Sequence, residues 1–313
     1  MHPGRPVSRD ATPVVIEAAI NGARSKADNP HVPLSSAEML ASIAACVDAG
    51  ASVIHVHAGQ PVVGSSGHHD PAPYLALFAA ARARHPGLAL YPTLPGGGPG
   101  TTMAGRLAHV FALARAGLLS LVPIDPGTMN YGQVGPDGQA PVHDRVYQTS
   151  FEDVAWGFAA CRQASLGCTL SLFEPGFARL MEAHRRAGTL PQPVLAKLEF
   201  SAGRRLFGLA PDATGVAAWL RLFDARRIPW MVTLRDGDVG RSLAGLAIRR
   251  GGHVRVGLED HGGPGTPRNE DLVAHVARLA IRAGRRPAHP EELPELLAQA
   301  GAPDTDVRLP ETP

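Results

Sequence analysis

Short apolar runs alternate with amphipathic ones along almost the whole chain. Runs rich in Val, Ile, Leu and Phe lie at 14–20, 52–57, 89–93, 118–124, 168–173, 194–200, 230–234 and 253–258. Each is bounded by Gly, Pro or polar residues and has the length of a buried strand. Between them, apolar residues recur at helical spacing over 36–49, 73–84, 103–116, 151–165, 177–186, 214–225, 241–249 and 269–283. Ser35 or Ser36, ahead of Ala37-Glu38, is a helix-start signal. Gly50, Gly117, Gly167, Gly188 and Gly251 follow the ends of apolar stripes, where a helix needs a residue that tolerates a left-handed backbone.

Eight strand–helix units joined by parallel crossovers predict an α/β fold, a single TIM-type (β/α)8 barrel. The barrel takes residues 1–286, with 287–313 as a C-terminal extension. The longest predicted loop, 130–148, follows the fourth strand and carries Gly132, Gly135, Pro136, Gly138 and Pro141. Loops after strands form the active face of such barrels, so this one reads as a lid or a partner-contacting loop.

Composition narrows the class without changing the fold. The 313 residues are 44% hydrophobic and 19% charged, as in a globular enzyme. A net charge of +2 is too small to argue for nucleic acid. Cys46, Cys161 and Cys168 are odd in number and far apart, which points to neither a disulfide framework nor a cysteine zinc site and fits a reducing cytoplasm. Residues 1–12 have no apolar core, so no signal peptide is expected. No apolar run approaches the roughly 18 residues of a membrane helix.

The chemistry begins at His55-Val-His57. In a strand, residues two apart face the same way, so both imidazoles project together. A lone H-x-H is a weak signal, since histidine often serves as a core or rim residue. The second element is Arg255-Val-Gly-Leu-Glu259-Asp260 at the end of the eighth strand. Strands two and eight both flank strand one, two steps of about 4.8 Å apart, so their side chains can converge on one ion. Two imidazoles and a carboxylate leave an open position, as in catalytic zinc sites. Taken alone, Glu259-Asp260 reads more simply as a helix start. Glu199 also ends a strand and is the rival ligand. His253 starts its strand, at the opposite face, while His68, His69 and His143 read as ordinary loop residues. Other strands end in Asn21 and Arg24, Thr93, Asp125 and Thr128, Ser171 and Glu174, Ser201, Arg235 and Asp236.

With these segments placed, the chain resembles the β-keto acid cleavage enzymes. The matching pieces are Ala18-Ala-Ile-Asn-Gly22, Val53-Ile-His-Val-His57, Pro126-Gly-Thr-Met-Asn-Tyr-Gly132 and Val254-Arg-Val-Gly-Leu-Glu-Asp260. The resemblance implies a zinc-bearing barrel that exchanges a β-keto acid with acetyl-CoA, giving acetoacetate and a new acyl-CoA. It implies His55, His57 and Glu259 as zinc ligands, Asp260 as catalytic base and Arg255 as the residue that orients it. Thr93, Asp125 and Thr128 match positions near the substrate. The family is oligomeric, so a dimer or tetramer is expected.

Two departures bear on the substrate. Where the 3-keto-5-aminohexanoate enzymes hold an ammonium group with acidic residues, this chain has Arg24 and, in Thr169-Leu-Ser171-Leu-Phe173, Ser171. An ammonium beside Arg24 would be repelled. The expected substrate is therefore a non-aminated, neutral or anionic β-keto acid. Ala58-Gly59 and Thr93-Leu-Pro-Gly-Gly-Gly98 also differ from the family pattern. The Gly96 to Gly100 turn could receive a CoA phosphate, and Arg204 and Arg205 read as solvated loop charges or a nucleotide contact. His2-carboxylate sets also suit iron or manganese. A CoA-independent aldolase or hydrolase, and a non-catalytic ligand-binding barrel, are the alternative functions.

Overall fold

A computed structural model describes residues 12–59, 69–135, 137–141 and 146–298. Pro136, His68 and His143, and the ends of the chain, lie outside these residues. Eight parallel strands form one curved sheet: β1 (Ile16–Ala19), β2 (Val53–Val56), β3 (Ala89–Pro92), β4 (Leu121–Ile124), and then β7 (Gly167–Leu172), β8 (Val194–Ser201), β9 (Trp230–Arg235) and β10 (His253–Val256). The order around the sheet is β3-β2-β1-β10-β9-β8-β7-β4. The ends of this sheet meet, where Ser120 N–H donates to Leu90 O at 3.3 Å, so the sheet is nearly closed into the expected barrel. Every residue of β1 to β4 is buried. Burying one Val, Leu or Ile contributes about 1.5–3 kcal/mol, which makes these short strands secure.

The two remaining strands, β5 (Met129–Asn130) and β6 (Val146–Tyr147), pair antiparallel within the long loop after β4. The sequence shows no alternation long enough to reveal a two-residue ladder. Its anchor is Arg106, only 1% exposed. Arg106 Nε donates to Pro95 O at 2.9 Å, Nη1 to Thr149 Oγ1 at 3.0 Å and Nη2 to the Tyr147 hydroxyl at 2.6 Å. One buried guanidinium therefore ties the hairpin to the loop after β3.

Helices cover the outside as expected, with shifted limits. Two begin earlier because a proline starts them, at Pro71–Arg84 and Pro175–Arg186. Proline lacks the N–H that would be unpaired in a first turn anyway. The stripe at 103–116 breaks at Leu107 into Met103–Arg106 and Ala108–Arg115. At the bottom of the barrel, Val14 N–H donates to Arg286 O at 2.7 Å and Ala288 N–H donates to Val14 O at 2.9 Å. The chain beyond folds back through Pro290–Glu292 and Leu293–Ala298, burying Leu293 and Leu297. Among the described residues no helix is long and apolar enough to cross a membrane.

Register places the chemistry. Ala19 is level with His55, and His55 with Tyr91. Glu17 is level with Arg255, and Ser171 with Lys197. Level neighbours share a face in a parallel sheet, so these polar side chains form adjoining layers inside the barrel.

Candidate metal centre and active site

His55 Nε2 and His57 Nε2 lie 3.2 Å apart. Glu259 Oε2 lies 3.2 Å from the first and 3.6 Å from the second. Bonds of roughly 2.0–2.1 Å in a tetrahedron would set ligand atoms about 3.3–3.4 Å apart, so this triangle has the size of a zinc face. Burial, the largest influence, depresses the pKa of both imidazoles, that of His57 to about 3. Burial alone would raise the Glu259 carboxyl, but Arg255 and the two histidines outweigh it and hold the pKa well below the usual carboxylate range. Glu259 Oε2 has no hydrogen-bond donor among the described residues. Two ring nitrogens and a carboxylate oxygen thus converge on one point, and a divalent cation fits that donor set. Glu199, the rival, instead pairs with Arg235 Nε at 3.2 Å and is absent from the cluster.

The geometry comes from strand ends. Asn21, fully buried beyond β1, accepts the His57 N–H at 2.9 Å and donates to His57 O at 2.9 Å. That fixes the backbone where β2 ends. The Tyr91 ring stacks on His55 with centroids 4.7 Å apart.

Asp260 lies beside the centre but faces away from the open space. Arg255 Nε reaches Asp260 Oδ2 at 2.7 Å, Arg235 Nη1 reaches Oδ1 at 2.5 Å, and the Thr233 hydroxyl donates to Oδ2 at 3.0 Å. Burial pushes its pKa up, yet the two guanidiniums outweigh burial and keep it ionised. The same two arginines hold Glu259 Oε1, each at 2.9 Å. Arg255 is held from below by Glu17 at 3.0 Å, and Glu17 also accepts a very short hydrogen bond from the Tyr91 hydroxyl. Lys197 Nζ crosses the barrel to donate to that hydroxyl at 3.0 Å. Glu17, Tyr91 and Lys197 thus join the site although the strand-end reading did not name them, and Arg235, placed there at a strand end, joins it too. Their signal was present: Glu17 and Lys197 are charged residues in the middle of apolar strands.

Above this layer opens a chamber of about 680 Å³. His55, His57, Arg255 and Glu259 line it, as do Arg24, Thr93, Asp125 and Ser171. Thr128 and Asp260 do not. Thr128 is exposed and bridges Thr149, donating to its carbonyl and accepting its N–H, each at 3.0 Å. Arg205, read as a solvated loop charge or a nucleotide contact, lines the chamber with its guanidinium 5.0 Å from the Tyr131 ring centroid. His253 sits at the opposite end, accepting the Val15 N–H at 3.0 Å through Nδ1.

Comparison with known proteins places the chain. A 3-keto-5-aminohexanoate cleavage enzyme of Fusobacterium nucleatum is 27% identical over 91% of this chain and 97% of its own length. A 3-oxoadipate:acetyl-CoA acetyltransferase of Cupriavidus necator is 27% identical over 87% of this chain and 90% of its own. Among solved structures, the binary complex of ObcA with oxaloacetate shares the fold at a TM-score of 0.60 and 15% identity, over 86% of this chain and 67% of that one. The model of the beta-keto acid cleavage enzymes matches residues 13–298, and the chain belongs to that family.

Proposed function

We propose that this protein is a zinc-dependent acyltransferase that cleaves a non-aminated β-keto acid with acetyl-CoA. What carries this reading is the meeting of His55, His57 and Glu259 beside the Arg255–Asp260 pair, in a chamber of a chain from this family. A divalent ion bound by those ligands supplies a Lewis acid for the keto acid's oxygens. Zinc is chosen for the donor set and the spacing.

The chain's own groups account for the rest. Asp260 takes a proton from C2 of the keto acid. To face the chamber, its Oδ1 has to be released by Arg235, and a substrate carboxylate pairing with Arg235 draws that guanidinium away. Arg255 holds the Asp260 carboxylate in place meanwhile. The C2 carbanion attacks the acetyl carbon of acetyl-CoA and the CoA thiolate leaves. The thiolate then adds to the original 3-oxo carbon, the C2–C3 bond breaks, and Asp260 returns its proton to C2. The products are acetoacetate and a new acyl-CoA, with atoms and charge conserved. Thr93, Asp125 and Ser171 contact the substrate, and Thr128 supports the loop beside it.

Residues 1–286 form the catalytic barrel and 287–313 its extension, in a cytoplasmic dimer or tetramer. Arg24 disfavours an ammonium-bearing substrate. The test is keto acid consumption by purified, metal-assayed protein with and without acetyl-CoA; consumption that ignores acetyl-CoA overturns the reading.

A further inference from the structure

The chamber's cationic side chains outnumber its carboxylates five to three. Most of that charge is spent inside the barrel. Arg235 and Arg255 are bound to Glu259, Asp260, Glu199 and Glu17, and Lys197 to Tyr91. Arg24 and Arg205 differ, because the two share one carboxylate. Asp236 Oδ1 lies 3.0 Å from Arg24 Nη2, and Asp236 Oδ2 lies 2.7 Å from Arg205 Nε. Asp28, the other acid on this rim, is exposed and occupied by the Ser25 N–H and hydroxyl at 2.8 Å each.

The pair is rigid. Arg205 is stacked on Tyr131, and Tyr131 on Phe207. Arg24 Nε donates to the backbone carbonyl of Glu259 at 3.2 Å, which ties it to the metal ligand itself. Asp236 adopts φ +58, a left-handed backbone that Asp tolerates better than most non-glycine residues. That turn, just past β9, sets its carboxylate between the two guanidiniums. Two planar forks that share the Asp236 carboxylate, with only the exposed Asp28 also in the field of Arg24, keep donors for an oxyanion.

We propose that Arg24 and Arg205, bridged by Asp236, form the seat for the distal carboxylate of the substrate, so that the keto acid is dicarboxylic. This rests on the proposed cleavage activity and names its substrate class. An oxyanion here could belong to the keto acid or to a CoA phosphate. The bond from Arg24 to the Glu259 backbone places the seat beside the metal centre, within reach of a substrate whose head group is held there. With a dicarboxylic acid the reaction yields acetoacetate and a CoA thioester that keeps a free carboxylate.

The test compares 3-oxoadipate with 3-oxohexanoate, which have the same carbon count and differ at the distal carboxylate. The native protein is expected to favour the dicarboxylate at least 100-fold in kcat/KM, and Arg205→Met and Arg205→Gln to reduce that ratio at least tenfold. Thermal unfolding of the variants establishes that they fold. Calorimetric binding of adipate against hexanoate to native protein reads the same preference without turnover. A native preference for the monocarboxylate, or equal binding of adipate and hexanoate, overturns the seat. So does an Arg205→Met variant that raises KM for acetyl-CoA but not for acetyl-dephospho-CoA while the keto acid ratio holds, since the seat then serves a CoA phosphate. If neither keto acid turns over but adipate binding is selective, the cleavage reading fails and the anion seat stands.

Discussion

A Cβ placed on Gly22 would stand 2.3 Å from Cγ of Glu259. Gly22 adopts φ +57, so a side chain there is strained even before the clash. The turn after β1 is thus the wall against which Glu259, the third member of the candidate metal site, is held. Gly22→Ala is expected to displace Glu259 and weaken metal binding by roughly 10–100-fold, the usual effect of disturbing a ligand's support. Metal content after dialysis, measured by mass spectrometry on protein that retains native circular dichroism, checks this. Full occupancy at native affinity would show that Glu259 is not a ligand.

Asp260→Asn keeps the shape of the carboxylate and removes its basicity. The predicted outcome is a fall in kcat of about 10²–10⁴-fold, with metal content unchanged. Because Arg235 and Arg255 both bind Asp260, a drop in stability could confuse the result. Proton exchange at C2 of the keto acid, followed by NMR in deuterated water, separates the two: a folded Asn variant should exchange no faster than the uncatalysed reaction. Native rates of exchange would remove Asp260 from the role.

Tyr91 joins three charged groups at the chamber floor. Its hydroxyl donates to Glu17 and accepts from Lys197 and from Arg255 Nη1. Tyr91→Phe leaves Lys197 without that acceptor and Glu17 without that donor, in surroundings where both are 2% exposed or less. Urea unfolding should show a loss of about 1–3 kcal/mol. A change under about 0.5 kcal/mol would mean that the network relaxes without the hydroxyl.

Acid should destabilise the fold through its buried histidines. Burial, then Arg285, lowers the His253 pKa to about 3 from an ordinary 6.5. Above pH 6.5 the ring is neutral whether the chain is folded or not, and stability is unaffected. Below it, the unfolded chain binds a proton that the folded ring refuses. Stability therefore falls as pH drops from 6.5 toward 3, by up to about 1.4 kcal/mol per unit. His109, lowered by burial to about 4, adds an effect of the same sign between 6.5 and 4. His253→Gln keeps an acceptor for the Val15 N–H and cannot titrate, so its stability should slope less steeply between pH 6 and 4. Equal slopes for variant and native protein would contradict the assignment.

The barrel was legible because strands buried on both sides are almost continuously apolar, and their spacing by helical stripes is regular. The meeting of His55, His57 and Glu259 was legible for a related reason: the two histidines share a strand face, and topology alone puts Glu259 two strands away. What escaped were contacts between side chains from distant strands. Lys197 reaches Tyr91 across the barrel, a distance that neither period nor motif encodes. Arg205 reads as a loop charge until Tyr131 and Asp236 are seen around it. Arg106 sits in a helical stripe with nothing local to show that it anchors a hairpin forty residues on. Thr128 was expected near the substrate by motif, yet its hydroxyl is taken up by Thr149.

An exchange of carbon skeletons with acetyl-CoA is the reaction proposed for this protein, and one labelling measurement tests it. Purified protein is given 3-oxoadipate and acetyl-CoA carrying ¹³C in the acetyl group, and the products are followed by NMR. Label is expected in the methyl and ketone carbons of acetoacetate and none in the new acyl-CoA, with no reaction without acetyl-CoA. Keto acid breakdown at the same rate without acetyl-CoA, or label recovered in the acyl group of the new thioester, would contradict it.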